Sequence, residues 1–142
     1  MLPINYLAVI VAAIAAFIIG FLFHGPFFGK LWMRLAKVQM TGNEKLSDMY
    51  GKMIWNFVAN LATAYGLAVV YLLGSSSPYM TGSALWNGII IAFVVWLGFL
   101  VTSTSIEVIW MGKSFKLWLF EACSSLVVML AMGAIIAVGI FK

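Results

Sequence analysis

Residues 84–111 read ALWNGIIIAFVVWLGFLVTSTSIEVIWM and include a single charged residue, Glu107. About 20 consecutive apolar residues are enough for a helix to cross the hydrocarbon core of a bilayer. Three further apolar runs of similar length occupy residues 4–27, 53–74 and 117–141. The sequence therefore predicts an all-α, polytopic membrane protein in which four transmembrane helices form one domain over residues 1–142.

The composition excludes other classes of protein. The chain has 142 residues, of which 65% are hydrophobic and 8% charged, and its mean hydropathy is +1.11. These values exclude a soluble domain and a disordered chain. The net charge of +4 comes from short connections between apolar runs, so it indicates orientation in the bilayer and we expect no nucleic-acid partner. The lone Cys123 cannot form an intramolecular disulfide.

Basic residues predict the orientation of the bundle. Of the eight Lys and Arg residues, seven lie in the first and third connections: Lys30, Arg34, Lys37, Lys45, Lys52, Lys113 and Lys116. Positively charged connections stay on the cytoplasmic side, so both termini are predicted to face outward, with Lys142 as the one basic side chain there. Labelling of a cysteine placed at Ser76, in the second connection, checks this prediction. Reaction from the cytoplasmic side alone would contradict it.

The first connection begins with an amphipathic pattern. Leu31, Leu35 and Val38 recur at helical spacing. Three basic side chains are offset from them by one residue: Lys30, Arg34 and Lys37. The pattern predicts a short helix lying in the membrane interface between the first and second transmembrane helices. It either recognises anionic lipid or a partner, or connects two helices along the surface. Three basic residues are few for lipid recognition, which favours the connector.

Small residues recur every four positions along the first apolar run, at Ala8, Ala12, Ala16 and Gly20. A shorter stripe, Gly133 and Ala137, lies on the fourth run. Such stripes allow close approach of another helix, which belongs either to the same chain or to a neighbouring copy. Because four helices enclose little volume, we expect a homo-oligomer or a subunit of a larger membrane complex.

Polar residues of all four runs lie at a similar depth. His24, Glu107 and Glu121 are each five or six residues, roughly 8 to 9 Å, from the nearest basic residue of a connection. Asn56 and Asn60 bracket the same depth on the second run. The third and fourth runs form a hairpin, so Glu107 and Glu121 are predicted to face each other. Two facing carboxylates favour a shared proton or a bound cation.

Three interpretations of this polar layer remain open. It links helices, with the carboxylates paired to Lys113, Lys116 or Lys52. It handles a proton or cation, with Asn56, Asn60 and His24 lining the site. It holds a metal or tetrapyrrole through His24, although no fixed ligand spacing supports this. The sequence Gly25-Pro26 after His24 also indicates a helix end, where His24 caps free carbonyl groups.

No catalytic motif is present, so we expect neither an enzyme nor a cofactor or metal. The predicted function is a non-catalytic structural or accessory membrane subunit. The alternative is a small proton- or cation-coupled transporter or channel that uses Glu107, Glu121 and His24. The apolar runs have none of the interruptions that mark the broken helices of many transporters, which favours the accessory role.

Several short motifs resemble those of a known family. They include Ile4-Asn5-Tyr6-Leu7-Ala8, Phe28-Gly29-Lys30, Trp96-Leu97-Gly98-Phe99, Gly112-Lys113 and Met132-Gly133-Ala134-Ile135. Their order and spacing resemble the bacterial membrane-protein family catalogued as domain of unknown function 1761, over essentially the whole chain. The resemblance implies a four-helix protein of the bacterial inner membrane with no assigned activity. In that membrane the orientation predicted from the basic residues places both termini on the periplasmic side. His24 departs from the aromatic residue that the family favours near Pro26, and Glu107 and Glu121 match no family motif.

Overall fold

The computed structural model describes residues 3–39 and 46–139. Four helical spans long and apolar enough to cross a membrane confirm the predicted fold class. Their bounds are Tyr6–Phe27, Met49–Ser75, Ala84–Ile109 and Phe115–Val138. They agree with the predicted runs to within a few residues. The last two predicted residues of the fourth run, together with Lys45 and Lys142, lie outside the described residues.

Two of the spans contain a wider, π-helical segment. The α-helices are α1 Tyr6–Leu22, α2 Gly29–Ala36, α3 Leu46–Ser75, α4 Ala84–Val95, α5 Thr102–Ile109 and α6 Phe115–Val138. The first span continues from α1 into a π segment at Phe23–Phe27, and a second π segment, Trp96–Val101, joins α4 to α5. Pro26 explains the first, because proline has no amide hydrogen for the α-helical ladder. The second was not predicted, and such wide turns often occur at functional sites.

The short helix predicted in the first connection is confirmed as α2, but its less exposed face differs from the prediction. Trp32, Met33 and Leu35 are half-buried, whereas Leu31 is exposed. The helix ends when Lys37 adopts a left-handed conformation, with φ of 54°. This ending places Lys37 and Val38 beyond the helix, so helical spacing no longer applies to them.

The bundle is tightly packed at one end only. We call the end that carries α2 and Lys113 the basic end, and the end that carries the connection between α3 and α4 the neutral end. The fourth span packs against the first and third, and the first also packs against the second. The buried apolar core lies in the half of the bundle nearer the neutral end, and includes Ala12, Ala13, Ala64, Leu67, Ala92 and Met132.

The alanine stripe of the first span packs inside the chain. Ala8, Ala12 and Ala16 are at most 1% exposed in the single chain, because α1 lies against both α3 and α6. Of the two interpretations of this stripe, packing within the bundle is therefore correct. The stripe offers no face for a second copy, and Gly20 at its end borders a cavity described below.

The third and fourth spans cross at two glycines. A Cβ atom added to Gly133 would lie 2.5 Å from the carbonyl oxygen of Gly88 and 2.6 Å from Cβ of Ala92. A Cβ atom added to Gly88 would collide with Cβ of Ala137 and the carbonyl oxygen of Gly133. The Gly133 and Ala137 stripe noted in the sequence thus fits a matching pair, Gly88 and Ala92, on the third span.

Candidate functional site

A cavity of about 720 Å³ opens between the spans at the basic end. All four spans and α2 contribute to its walls. Its polar lining consists of His24, Lys52, Asn56, Asn60, Thr63, Glu121, Ser124 and Ser125. From Lys52 to Thr63 the second span rises roughly 16 Å, about half of the hydrocarbon thickness of a bilayer. Beyond that depth the packed core fills the bundle.

One wall of the cavity is a polar stripe on α3. Asn60 Nδ2 donates to the carbonyl oxygen of Asn56 at 2.9 Å and to Asn56 Oδ1 at 3.2 Å. Thr63 Oγ1 donates to the carbonyl oxygen of Ala59 at 3.0 Å. These bonds leave Asn56 Nδ2 and Asn60 Oδ1 without a partner in the described part of the chain. The stripe therefore presents one donor and one acceptor to the cavity.

The opposite wall carries a hydroxyl group that is open to the cavity. Ser124 is 3% exposed and lines the cavity, yet its side chain makes no hydrogen bond with any described residue. Its neighbour Ser125 is fully engaged, because it donates to the carbonyl oxygen of Ala122 at 2.9 Å and accepts from Trp96 Nε1 at 2.9 Å. No buried side-chain N or O atom of the described residues lacks a hydrogen-bond partner, so the Ser124 hydroxyl is accessible from the cavity and can bond a polar group there.

His24 lies at the mouth of the cavity, within the π segment of the first span. Its Nδ1 donates to the carbonyl oxygen of Gly20, one turn earlier, at 2.9 Å. That carbonyl also accepts from the backbone amide of Phe23, so it is not one of the free carbonyl groups that His24 was predicted to cap. A carbonyl oxygen can only accept, so Nδ1 carries the hydrogen, and Nε2 of the neutral ring is left as an acceptor. The ring meets Trp32 and Phe120 edge-on, at 5.5 Å and 5.7 Å between ring centroids. Trp32 thereby places α2 beside the mouth.

Glu107 and Glu121 are joined by Lys113, and we call these three residues the lysine clamp. Lys113 Nζ lies 2.5 Å from Glu107 Oε2 and also binds Glu121 Oε2. Gly112 makes this possible, because its φ of 69° turns the chain so that the Lys113 amide donates to the carbonyl oxygen of Glu107 at 3.0 Å. The predicted meeting of the two carboxylates is thus observed, and the cation between them belongs to the chain itself.

Lys113 is charged at neutral pH. Burial by itself would lower the pKa of Lys113, but its hydrogen bonds to Glu107 and Glu121 and their negative charges outweigh burial and raise this pKa above the ordinary value of 10.5. Because the pKa of Lys113 is higher in the folded protein than in the unfolded chain, the charge on Lys113 contributes its full stabilisation to the fold at a pH below 10.5. This contribution is lost as the pH rises through the pKa of Lys113 in the folded protein. Lys113 therefore remains charged over the whole physiological range.

Four of the five residues of the predicted polar layer share the cavity: His24, Asn56, Asn60 and Glu121. Glu107 is absent from the lining and acts on Glu121 through Lys113. Within the described ranges, no three His, Cys, Asp or Glu side chains are placed to hold a metal ion. His24, Glu107 and Glu121 therefore do not form a set of metal ligands there. The exposed basic side chains Lys30, Arg34 and Lys37 lie outside the cavity lining.

Two features of the site were not predicted from the sequence. Thr63 continues the stripe of Asn56 and Asn60 at the next helical turn, a spacing that the sequence contains. The four hydroxyl residues at 102–105 bond carbonyl groups of their own preceding turn, so they do not extend the polar path. Among them, Thr104 Oγ1 also accepts from Trp118 Nε1 at 3.0 Å and ties the third span to the fourth.

Comparison with known proteins identifies the family. Residues 7–137 match the family described as "Protein of unknown function (DUF1761)". The chain belongs to this family. The match covers nearly the whole bundle and confirms the resemblance seen in the short motifs. No curated protein and no solved structure matches the chain, so DUF1761 membership supplies the family but no activity.

Proposed function

We propose that this protein is a non-catalytic accessory membrane protein whose half-open bundle binds a small amphipathic molecule. The observation that carries the proposal is the cavity of about 720 Å³, a volume typical of small-molecule sites. A bundle with a purely structural role is expected to pack at both ends, because an unfilled opening loses dispersion contacts. Here only the neutral end is packed.

The lining supports an amphipathic ligand. One side offers hydrogen-bonding groups on α3 and α6, including Asn56, Asn60 and the unpartnered hydroxyl of Ser124. The rest is apolar and includes Phe17, Phe21, Met53, Leu100, Val128 and Met129. Methionine side chains adapt to ligands of different shape. A molecule with a polar end and an apolar body would satisfy both surfaces.

Filling the cavity should abolish binding. Gly20 lines the cavity, and a Cβ atom there meets nothing within 4 Å, so Gly20→Phe adds a ring at the cavity wall from a backbone position that has room for a side chain. We expect the uncharged fluorophore N-phenyl-1-naphthylamine to bind the protein saturably in nanodiscs, and Gly20→Phe to weaken this binding at least fivefold. Fluorescence titration measures it, with empty nanodiscs subtracted.

The matched control for this test is Gly66→Phe. Gly66 is exposed on the second span, and a Cβ atom there also meets nothing within 4 Å, but Gly66 does not line the cavity. This variant should bind like the wild type. Equal fluorescence from all three proteins and from empty nanodiscs would refute the proposed function.

A second candidate is a proton- or cation-coupled carrier. One observation in its favour is that the cavity opens at one end of the bundle only. Another is that residues of both π segments, namely His24, Gly25 and Leu100, line the cavity. Transport sites are commonly flanked by irregular helices. Liposome flux distinguishes the two. A carrier shows flux that the Glu107→Gln/Glu121→Gln variant loses, whereas a binding protein shows none in either form.

The proposal also covers the location and the assembly of the protein, which the four candidate spans do not determine. We place the protein in a bacterial inner membrane with the basic end toward the cytoplasm, on the strength of the basic connections. The cavity would then open to the cytoplasmic side. Self-association or membership of a larger complex stays a prediction, and the alanine stripe no longer supports it.

A further inference from the structure

The charges around the cavity indicate which kind of molecule it accepts. The lysine clamp contains two carboxylates and one ammonium group, so it has a formal charge of −1. Of its three residues, Glu121 lines the cavity. Lys113 engages Glu121 through Oε2, and Oε1 has no hydrogen-bond partner among the described residues. One negative charge next to the cavity is therefore uncompensated within the clamp.

The other ionisable side chains in the described lining, Lys52 and His24, lie at the mouth of the cavity and do not neutralise the charge of Glu121 deeper inside. Lys52 is exposed at the mouth, one helical turn closer to the interface than Asn56, and long lysine side chains extend toward water. His24 is exposed at the mouth, and its Nδ1 is engaged by the carbonyl oxygen of Gly20. The deeper lining, at Asn60, Thr63 and Ser124, is polar and uncharged.

Aromatic rings surround the same space. Phe17, Phe21 and Trp32 line the cavity, and Trp32 is held at the mouth by its edge-on contact with His24. Aromatic faces attract cations, most strongly where water is excluded. The described lining contains one carboxylate, Glu121, whereas a hard inorganic cation is usually held by several charged oxygen ligands; an organic cation brings its own apolar surface.

We propose that the ligand is an organic cation with an apolar body, whose charge lies near Glu121 and whose body contacts the aromatic and methionine side chains. This inference rests on the proposed function and specifies the ligand of the same cavity. Glu121 is the residue that selects for positive charge, and Glu107 contributes through the clamp without lining the cavity.

A pair of probes with the same shape and opposite charge tests the inference. Tetraphenylphosphonium and tetraphenylborate are to be compared by equilibrium dialysis against the protein in phosphatidylcholine nanodiscs, with empty nanodiscs subtracted. We expect saturable binding of the phosphonium ion and at least tenfold weaker binding of the borate ion. Glu121→Gln should lower the affinity for the phosphonium ion at least tenfold, and Gly20→Phe should abolish its binding.

Glu107→Gln is the control for Glu121→Gln, because it removes the same charge from the same clamp outside the cavity lining. We expect it to weaken binding of the phosphonium ion less than Glu121→Gln does. An unchanged affinity in Glu121→Gln, or tighter binding of the borate ion, would overturn the cation proposal. The proposed function would survive each of these results if the uncharged fluorophore still bound and Gly20→Phe still removed it.

Discussion

Replacing Gly133 by Leu is expected to destabilise the bundle by about 3 kcal/mol or more, and replacing it by Ala by about 1–3 kcal/mol. Already the first added carbon atom would lie 2.5 Å from the carbonyl oxygen of Gly88 and 2.6 Å from Cβ of Ala92. Backbone atoms cannot move aside as a flexible side chain can, so the third and fourth spans would have to separate. Unfolding in mixed micelles with rising sodium dodecyl sulfate, followed by circular dichroism, measures the loss.

Gly66→Ala is the matched control for this prediction. Gly66 also lies within a helical span, but a Cβ atom there meets nothing within 4 Å. Alanine is the better helix former by about 1 kcal/mol at most, so this variant should be as stable as the wild type or slightly more stable. An unchanged unfolding midpoint in Gly133→Leu would show that the two spans do not cross at these glycines.

Replacing Lys113 by Met should destabilise the protein by about 1–3 kcal/mol. Glu107 and Glu121 would then face each other without a cation between them. We expect a smaller loss of stability than for a fully buried ion pair, because the side chains of Glu107 and Glu121 are 40% and 36% exposed to solvent. Lys116→Met is the control, since Lys116 is exposed close by and forms no ion pair with a described residue. The same unfolding titration measures both variants.

Removing the repulsion should rescue the Lys113 variant. When Glu107→Gln and Glu121→Gln are added to Lys113→Met, no uncompensated charge remains, and most of the lost stability should return. The double carboxylate variant with Lys113 intact gives the reference for this comparison. A Lys113→Met protein as stable as the Lys116→Met protein would mean that the lysine clamp contributes nothing to the fold.

Much of the architecture follows from local properties of the chain. The length and hydropathy of each apolar run determine the four spans, because a helix that satisfies its own backbone hydrogen bonds is the stable form of such a segment in lipid. Pro26 determines the irregular end of the first span for an equally local reason. Counting residues from the basic connections also placed His24, Glu107 and Glu121 at one depth, with Asn56 and Asn60 on either side of it, because the rise of a helix per residue is constant.

Contacts between helices depend on how each span is rotated, and the apolar runs carry little information about that. Residues are apolar on all sides of a membrane helix, so periodicity does not reveal which face meets a neighbour. The sequence therefore left open whether the Ala8 to Ala16 stripe packs inside the chain, whether the cation between the carboxylates is Lys113, and whether His24 and Glu121 share one space. Tertiary packing decided all three, and it alone produced the cavity, since the close crossing at Gly88 and Gly133 joins the third and fourth spans nearer the neutral end and leaves the basic end of the bundle open.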